Sequence, residues 1–175
     1  DVVDVTNLNR QVFLADGVGC TKAEVLCERL RRLFGIQADA RVAYFRRDTP
    51  ISGYDAVFDC VDNFETRIVL SEKCRDEGKV LISGGTGPEA GQVVVYDPAR
   101  GNGTPAGVLG LYDVVDRRRI ETYERKSAAC AYRPEPSVIM VNQVIGGLMV
   151  DVWRRVVSGQ ASENVFYDSK GDKRL

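Results

Sequence analysis

Histidine is absent from all 175 residues. That excludes a Ser-His-Asp triad, a Cys-His pair, an HExxH site and any His-ligated metal, and it leaves carboxylates, Lys, Arg, Asn and Cys to carry the chemistry. The five cysteines, Cys20, Cys27, Cys60, Cys74 and Cys130, are odd in number, irregularly spaced and without a CxxC. A disulfide framework and a cysteine zinc site are therefore not expected, and neither is zinc. No apolar run approaches the ~18 residues that span a bilayer, and no basic-apolar-small leader opens the chain. The reading is a soluble, cytoplasmic protein without a membrane partner. An excess of one charge is missing too: Lys and Arg number 24 against 25 Asp and Glu, a net charge of −1, so no global field recruits nucleic acid. Two glycine clusters, GGTGPEAG and GNGTPAG, lack GxGxxG spacing and do not enter a helix, so both read as turns.

What is present suits one domain with a sizeable core: 44% of the residues are hydrophobic, enough for roughly 70% of the unfolded surface to be buried. The stretch at 54–67, YDAVFDCVDNFETR, organises the rest. Residues 56–61 are apolar except for Asp59 and read as a strand buried on both faces. The run stops at Asp62 and Asn63, and helical spacing of Ile68, Val69, Leu70 and Cys74 follows over 64–77. Asp62 thus falls where a strand ends and a helix begins, the edge at which open α/β sheets bind ligands. Either it serves such a ligand, or Asp62 or Asn63 caps the helix.

Upstream, residues 1–5 read as the tail of a strand and TNLNRQ (6–11) as a polar loop. Three amides and an arginine in six residues make either a donor-rich surface for phosphate or ribose oxygens or a solvated turn. Residues 21–34 predict a helix with a capping box from Thr21 and Glu24, an apolar stripe of Val25, Leu26, Leu30, Leu33 and Phe34, and Gly35 just past its end. Lys22 sits in the first turn, where a cation opposes the helix dipole by ~0.3–1 kcal/mol. It either meets an anion there or is simply tolerated.

Downstream, 40–45 alternates as a strand, 80–83 and 92–96 read as two more, and 97–126 shows no sustained period. A long apolar helix follows over about 137–157, with Gly146 and Gly147 allowing close backbone packing, and 164–167 is an edge strand. The order of strands and helices implies a mostly parallel α/β sheet with helices on both faces. Cys20, Cys27, Cys60 and Cys74 fall on apolar faces or element ends and read as packing residues.

DVVDVTNLNRQ, the GCTK that ends in Lys22, YDAVFDCVDNFETR, the glycine turn before QVVVY, and Cys130 ahead of PSVIMVNQVIGGLMVDVWRRVVSG together resemble the ubiquitin-activating superfamily of ThiF, MoeB and HesA relatives. The resemblance runs from Asp1 to about Gly159. It implies a Rossmann-like α/β fold and a single ThiF/MoeB-like adenylation domain over 1–175, with an irregular crossover at 97–130. The family's glycine-rich nucleotide loop lies ahead of these motifs, and the sequence, which opens on Asp1, does not contain it.

By the same resemblance, the chain adenylates the C-terminal carboxylate of a ubiquitin-like or sulfur-carrier protein with Mg2+ and ATP. Asn7, Arg10, Gln11 and Lys22 contact the nucleotide, Asp62 holds Mg2+ or orients the nucleotide beside Asn63, and Cys130 accepts the acyl group. A homodimer or heterodimer is implied. Arg125, Lys126 and Arg133 lie near Cys130 in sequence and would favour its thiolate; the alternative is an ordinary small packed residue.

Overall fold

The computed structural model describes residues 1–9, 11–125 and 139–171, which fall into two compact units, Asp1–Tyr44 and Phe45–Leu175.

The first unit is a closed loop followed by a helix. Residues 1–3 lie antiparallel to 19–22: Val3 N–H donates to the Cys20 carbonyl at 2.8 Å, Gly19 N–H to the Val3 carbonyl at 2.9 Å and Lys22 N–H to the Asp1 carbonyl at 2.9 Å. The expected strand tail is therefore one bridge, and two 3-10 turns, Val5–Asn7 and Ala15–Gly17, fill the loop. Helix α1, Lys22–Phe34, is closed at its C-terminus by Gly35 at φ 64°, where a side chain would be strained. At its other end Thr21 Oγ1 accepts from Glu24 N–H, while the Glu24 carboxylate takes the Thr21 hydroxyl instead of a backbone N–H. The capping box is thus half formed. Residues 40–45 do not form a strand. Alternation supplies a face, but a strand also needs a neighbour for its N–H and C=O groups, and the described residues provide none.

The second unit is built on a four-stranded sheet in the order β1 (Ala56–Asp59), β2 (Val80–Thr86), β3 (Ala90–Tyr96), β4 (Val165–Asp168). Only β1 and β2 are parallel; β2–β3 and β3–β4 are antiparallel, so the sheet is mixed rather than mostly parallel. The reason lies at the glycines. Gly84 and Gly85 belong to β2 itself, and the chain reverses over only 87–89, too short for the crossover that parallel pairing requires. β1 lies at the sheet edge and leaves Phe58 exposed, so it is not buried on both faces.

Helices cover both faces. On one, α6 (Ile139–Val157) lays Val141, Ile145, Met149 and Val152 against Ile82, Val93 and Val95. Gly84 permits this approach: a Cβ there would collide with Met149 Sδ and Ile145. Gly146 and Gly147, expected to allow close packing, meet nothing within 4 Å of a Cβ position among the described residues. On the other face, α2 (Phe64–Asp76) puts Leu70 and Cys74 against Leu81, Tyr96 and Ile51. Residues 105–125, read from sequence as irregular, hold three helices: α3 (Pro105–Val108), α4 (Leu111–Val114) and α5 (Arg117–Arg125). Ala106, Leu111, Val115 and Ile120 from this stretch pack on Ile68 and Val69, so α2 is enclosed between the sheet and the crossover.

Candidate functional site

At the carboxyl end of β1 the strand stops two residues earlier than its apolar run predicts. Asp59 turns its carboxylate back so that Oδ1 accepts the Val61 N–H at 3.0 Å, which breaks the ladder and starts a turn. Asn63 then caps α2, its Oδ1 accepting from Thr66 N–H at 2.8 Å. The capping role falls to Asn63 and not to Asp62. Asp62 is exposed, sits between these two turns, and has no hydrogen-bond or ion-pair partner among the described residues.

Behind Asp62 lies a buried polar cluster that sequence reasoning missed. Asp59 Oδ2 accepts the Ser83 hydroxyl at 2.7 Å and lies 3.1 Å from Arg67 Nε, and both charged side chains are buried. The Nε contact is an ion pair without hydrogen-bond alignment. Arg67 Nη2 donates to the carbonyls of Val61 at 2.9 Å and Gly84 at 2.8 Å. A signal was available: Asp59 interrupts an apolar run, and a buried carboxylate demands a partner.

In the first unit, Asn7 is buried and its Oδ1 accepts from Asp4 N–H at 3.0 Å, while Asp4 Oδ1 accepts from Thr6 N–H at 2.8 Å. Asp4 and Asn7 therefore form a capping box around the 3-10 turn Val5–Asn7, where the polar loop begins. Gln11 Oε1 is buried without a partner among the described residues. Lys22 Nζ pairs with Asp1 Oδ2 at 3.2 Å, which supplies a local reason for a lysine in an unfavourable helix position. Arg10 and Cys130 lie outside the described residues.

The remaining thiols differ from one another. Cys74 is buried and its thiol is pushed up to about 12 by desolvation first, then by the charges of Glu77 and Asp59, with Lys73 opposing. Cys60 reaches solvent, yet its pKa is also raised, chiefly by desolvation and then by Asp59, against the lowering effect of Arg67. Neither is disposed to be a thiolate at neutral pH. Cys20 and Cys60 are exposed rather than packed as their sequence positions implied. Among the described residues no group of three or more Cys, Asp or Glu side chains forms a metal cage, and no helix is long and apolar enough to cross a membrane.

The model of the ThiF family matches residues 1–170. The chain belongs to the ThiF family. This ThiF-family chain is 36% identical over 106 residues to the adenylyltransferase and sulfurtransferase MOCS3 of Drosophila sechellia, a match covering 58% of the chain and 23% of that protein. It is 37% identical over 103 residues to the SAMP-activating enzyme E1 of Haloferax volcanii, covering 56% and 38% respectively. The matched stretches thus span about a quarter to two-fifths of these relatives. The crystal structure of E. coli MccB with ATP superposes with a TM-score of 0.72 at 18% identity over 98% of this chain and 52% of that one. The fold is accordingly the Rossmann-like α/β fold of the ThiF family.

Proposed function

We propose that the protein uses ATP to adenylate the C-terminal carboxylate of a ubiquitin-like or sulfur-carrier protein and then passes the acyl group to Cys130 as a thioester. The observation that carries this reading is Asp62, a solvent-facing carboxylate without a partner among the described residues, held at a strand-to-helix junction by turns on either side. Relatives named as an adenylyltransferase and as an activating enzyme support it.

The roles follow from charge. A substrate carboxylate attacks the α-phosphorus of ATP, the bond from that phosphorus to the bridging oxygen breaks, and pyrophosphate leaves with the electron pair. The attacking group is already ionised near pH 7, so no general base is needed, and a protein without histidine can support the step. The difficulty is bringing two anions together. Arg10 and Lys22 neutralise phosphate charge, and Asn7 and Gln11 supply amide hydrogen bonds, the Gln11 Oε1 having no partner among the described residues. Loss of one such contact costs about 3 kcal/mol in the transition state, on the order of a hundredfold in rate.

Mg2+ fits Asp62, because that ion takes one or two carboxylates and completes its shell with phosphate oxygens and water rather than with a protein cage. Asp62 would hold it, and the ion would offset charge on the pyrophosphate as it departs. Asn63 keeps its Nδ2 as a donor beside that position while its Oδ1 caps α2. In the transfer step the Cys130 sulfur would attack the acyl carbon and expel AMP. The protein would work as a homodimer or heterodimer.

Pyrophosphate exchange into ATP, measured on the intact protein with its carrier, should occur in the wild type and fall at least about a hundredfold in Asp62→Ala. Unchanged exchange in that variant overturns the role of Asp62. Absence of exchange in the wild type favours a non-catalytic half of a heterodimeric activating enzyme. Cys130→Ala decides the second step: a carrier thioester should vanish while exchange persists. Full turnover to product in that variant points instead to adenylation of another carboxylate, or of a tRNA base, without a thioester.

A further inference from the structure

Val61, the residue immediately before Asp62, is held at both of its main-chain polar atoms. Its N–H donates to Asp59 Oδ1 at 3.0 Å, and its carbonyl accepts from Arg67 Nη2 at 2.9 Å. The same nitrogen donates to the Gly84 carbonyl at 2.8 Å, so one guanidinium ties the turn ahead of Asp62 to the neighbouring strand. Asp59 is fixed in turn by the Ser83 hydroxyl at 2.7 Å and faces Arg67 Nε at 3.1 Å. Space for the guanidinium comes from Gly85, where a Cβ would stand 3.1 Å from Arg67 Nη1 and collide with the Gln92 amide. On the far side Asn63 is pinned by its cap. Asp62 is therefore an exposed residue between two fixed ones.

Holding a core together does not require this arrangement. Asp59 is 1% exposed and Arg67 5% exposed, and a buried ion pair can often be replaced by apolar side chains of similar volume without loss of stability. Apolar groups cannot reproduce the grip on the Val61 N–H and carbonyl. Lysine cannot reproduce it fully either, since it lacks the planar fork that reaches two carbonyls while facing a carboxylate.

We infer that the buried Asp59–Arg67 pair is a positioning device, which fixes the turn at Val61 so that the Asp62 carboxylate is set to hold the divalent cation of a metal-nucleotide complex. This rests on the reading of Asp62 given above. Arg67 and Asp59 touch neither nucleotide nor metal; they act through the backbone that carries Asp62.

The test is the coupling between Mg2+ and ATP binding, measured by calorimetry on the full-length protein as the ratio of ATP dissociation constants without and with Mg2+, beside circular dichroism and thermal melting. In the wild type Mg2+ should tighten ATP binding, and Asp62→Ala should abolish the tightening. Arg67→Lys should lose about 10- to 100-fold of it, the loss typical when the support of a metal ligand is removed, with ATP affinity in the absence of Mg2+ unchanged. Wild-type coupling in folded Arg67→Lys, with only a lower melting temperature, overturns the inference while leaving Asp62 in its role. Retained coupling in Asp62→Ala, or no coupling in the wild type, instead overturns the reading of Asp62 itself.

If Arg67→Lys does not fold, the paired replacement Asp59→Leu with Arg67→Met separates structure from positioning. It should fold and lack the coupling. Wild-type coupling in the folded double variant, or failure of the double variant to fold, overturns the inference, because the pair is then part of the fold rather than of the site.

Discussion

Helices α1 and α2 are both 13 residues long, and the one with the clearer apolar stripe is the one left without a buried residue. α1 carries a clear apolar stripe, yet none of its residues is buried: Leu33 is 58% exposed and Phe34 68%. α2 shows no comparable stripe, yet it buries Thr66, Arg67, Ile68, Val69, Leu70, Ser71 and Cys74. A helix enclosed on several sides has no reason to segregate its apolar residues, and the two buried clusters on either side of α2 enclose it in this way. Amphipathicity reports that a face is available for burial. Burial itself depends on what the rest of the chain brings to that face.

The sharpest way to test this contrast is through the charge inside α2. Arg67→Ala leaves Asp59 buried without its partner and should lower stability by about 3–5 kcal/mol in denaturant unfolding. A loss below about 1 kcal/mol would mean that water reaches Asp59 and that α2 is less enclosed than described.

Next in size is a matched pair of truncations. Ile68→Ala in α2 should cost about 2–5 kcal/mol, since Ile68 is fully buried, whereas Leu33→Ala in α1 should stay within about 0.5 kcal/mol. Similar losses in the two variants would break the comparison, because the stripe of α1 would then be packed in solution.

The smallest effect is read through pH. The Cys74 thiol is pushed up to about 12 from an ordinary value of 9.0. A group whose folded pKa is raised contributes its stability fully below the unfolded value, and that contribution is lost as pH rises from about 9 through about 12. Cys74→Ala should flatten the fall in unfolding free energy across that interval. Cys74 should also resist alkylation at pH 8 while exposed Cys20 reacts. Equal reactivity of the two thiols would show α2 opening readily.

Much of the fold could be read along the chain because its signals are local. Gly35 ends α1 and Asn63 begins α2 through contacts within a few residues, and the apolar spacing of α6 matches the face it buries. The position of Asp62 between a strand and a helix is local in the same way, and β1 and α2 do flank it. The failures were of another kind. Residues 40–45 alternate correctly but lack a ladder neighbour, and Gly84 and Gly85 looked like a turn although they lie in β2, where they admit α6 and Arg67. Arg67 was in plain view at the end of the motif without any sign that it reaches back to Asp59.

By itself, then, the sequence determined the three long helices α1, α2 and α6, the exclusion of histidine chemistry, and the family motifs around Asn7, Lys22 and Asp62. Each of these depends on residues close together in the chain or on composition. Only the tertiary structure decided the mixed sheet, the enclosure of α2 and the clamp on Val61. Those depend on which distant segments meet, and the free energy of a buried charge or an apolar face is set by its neighbours in space.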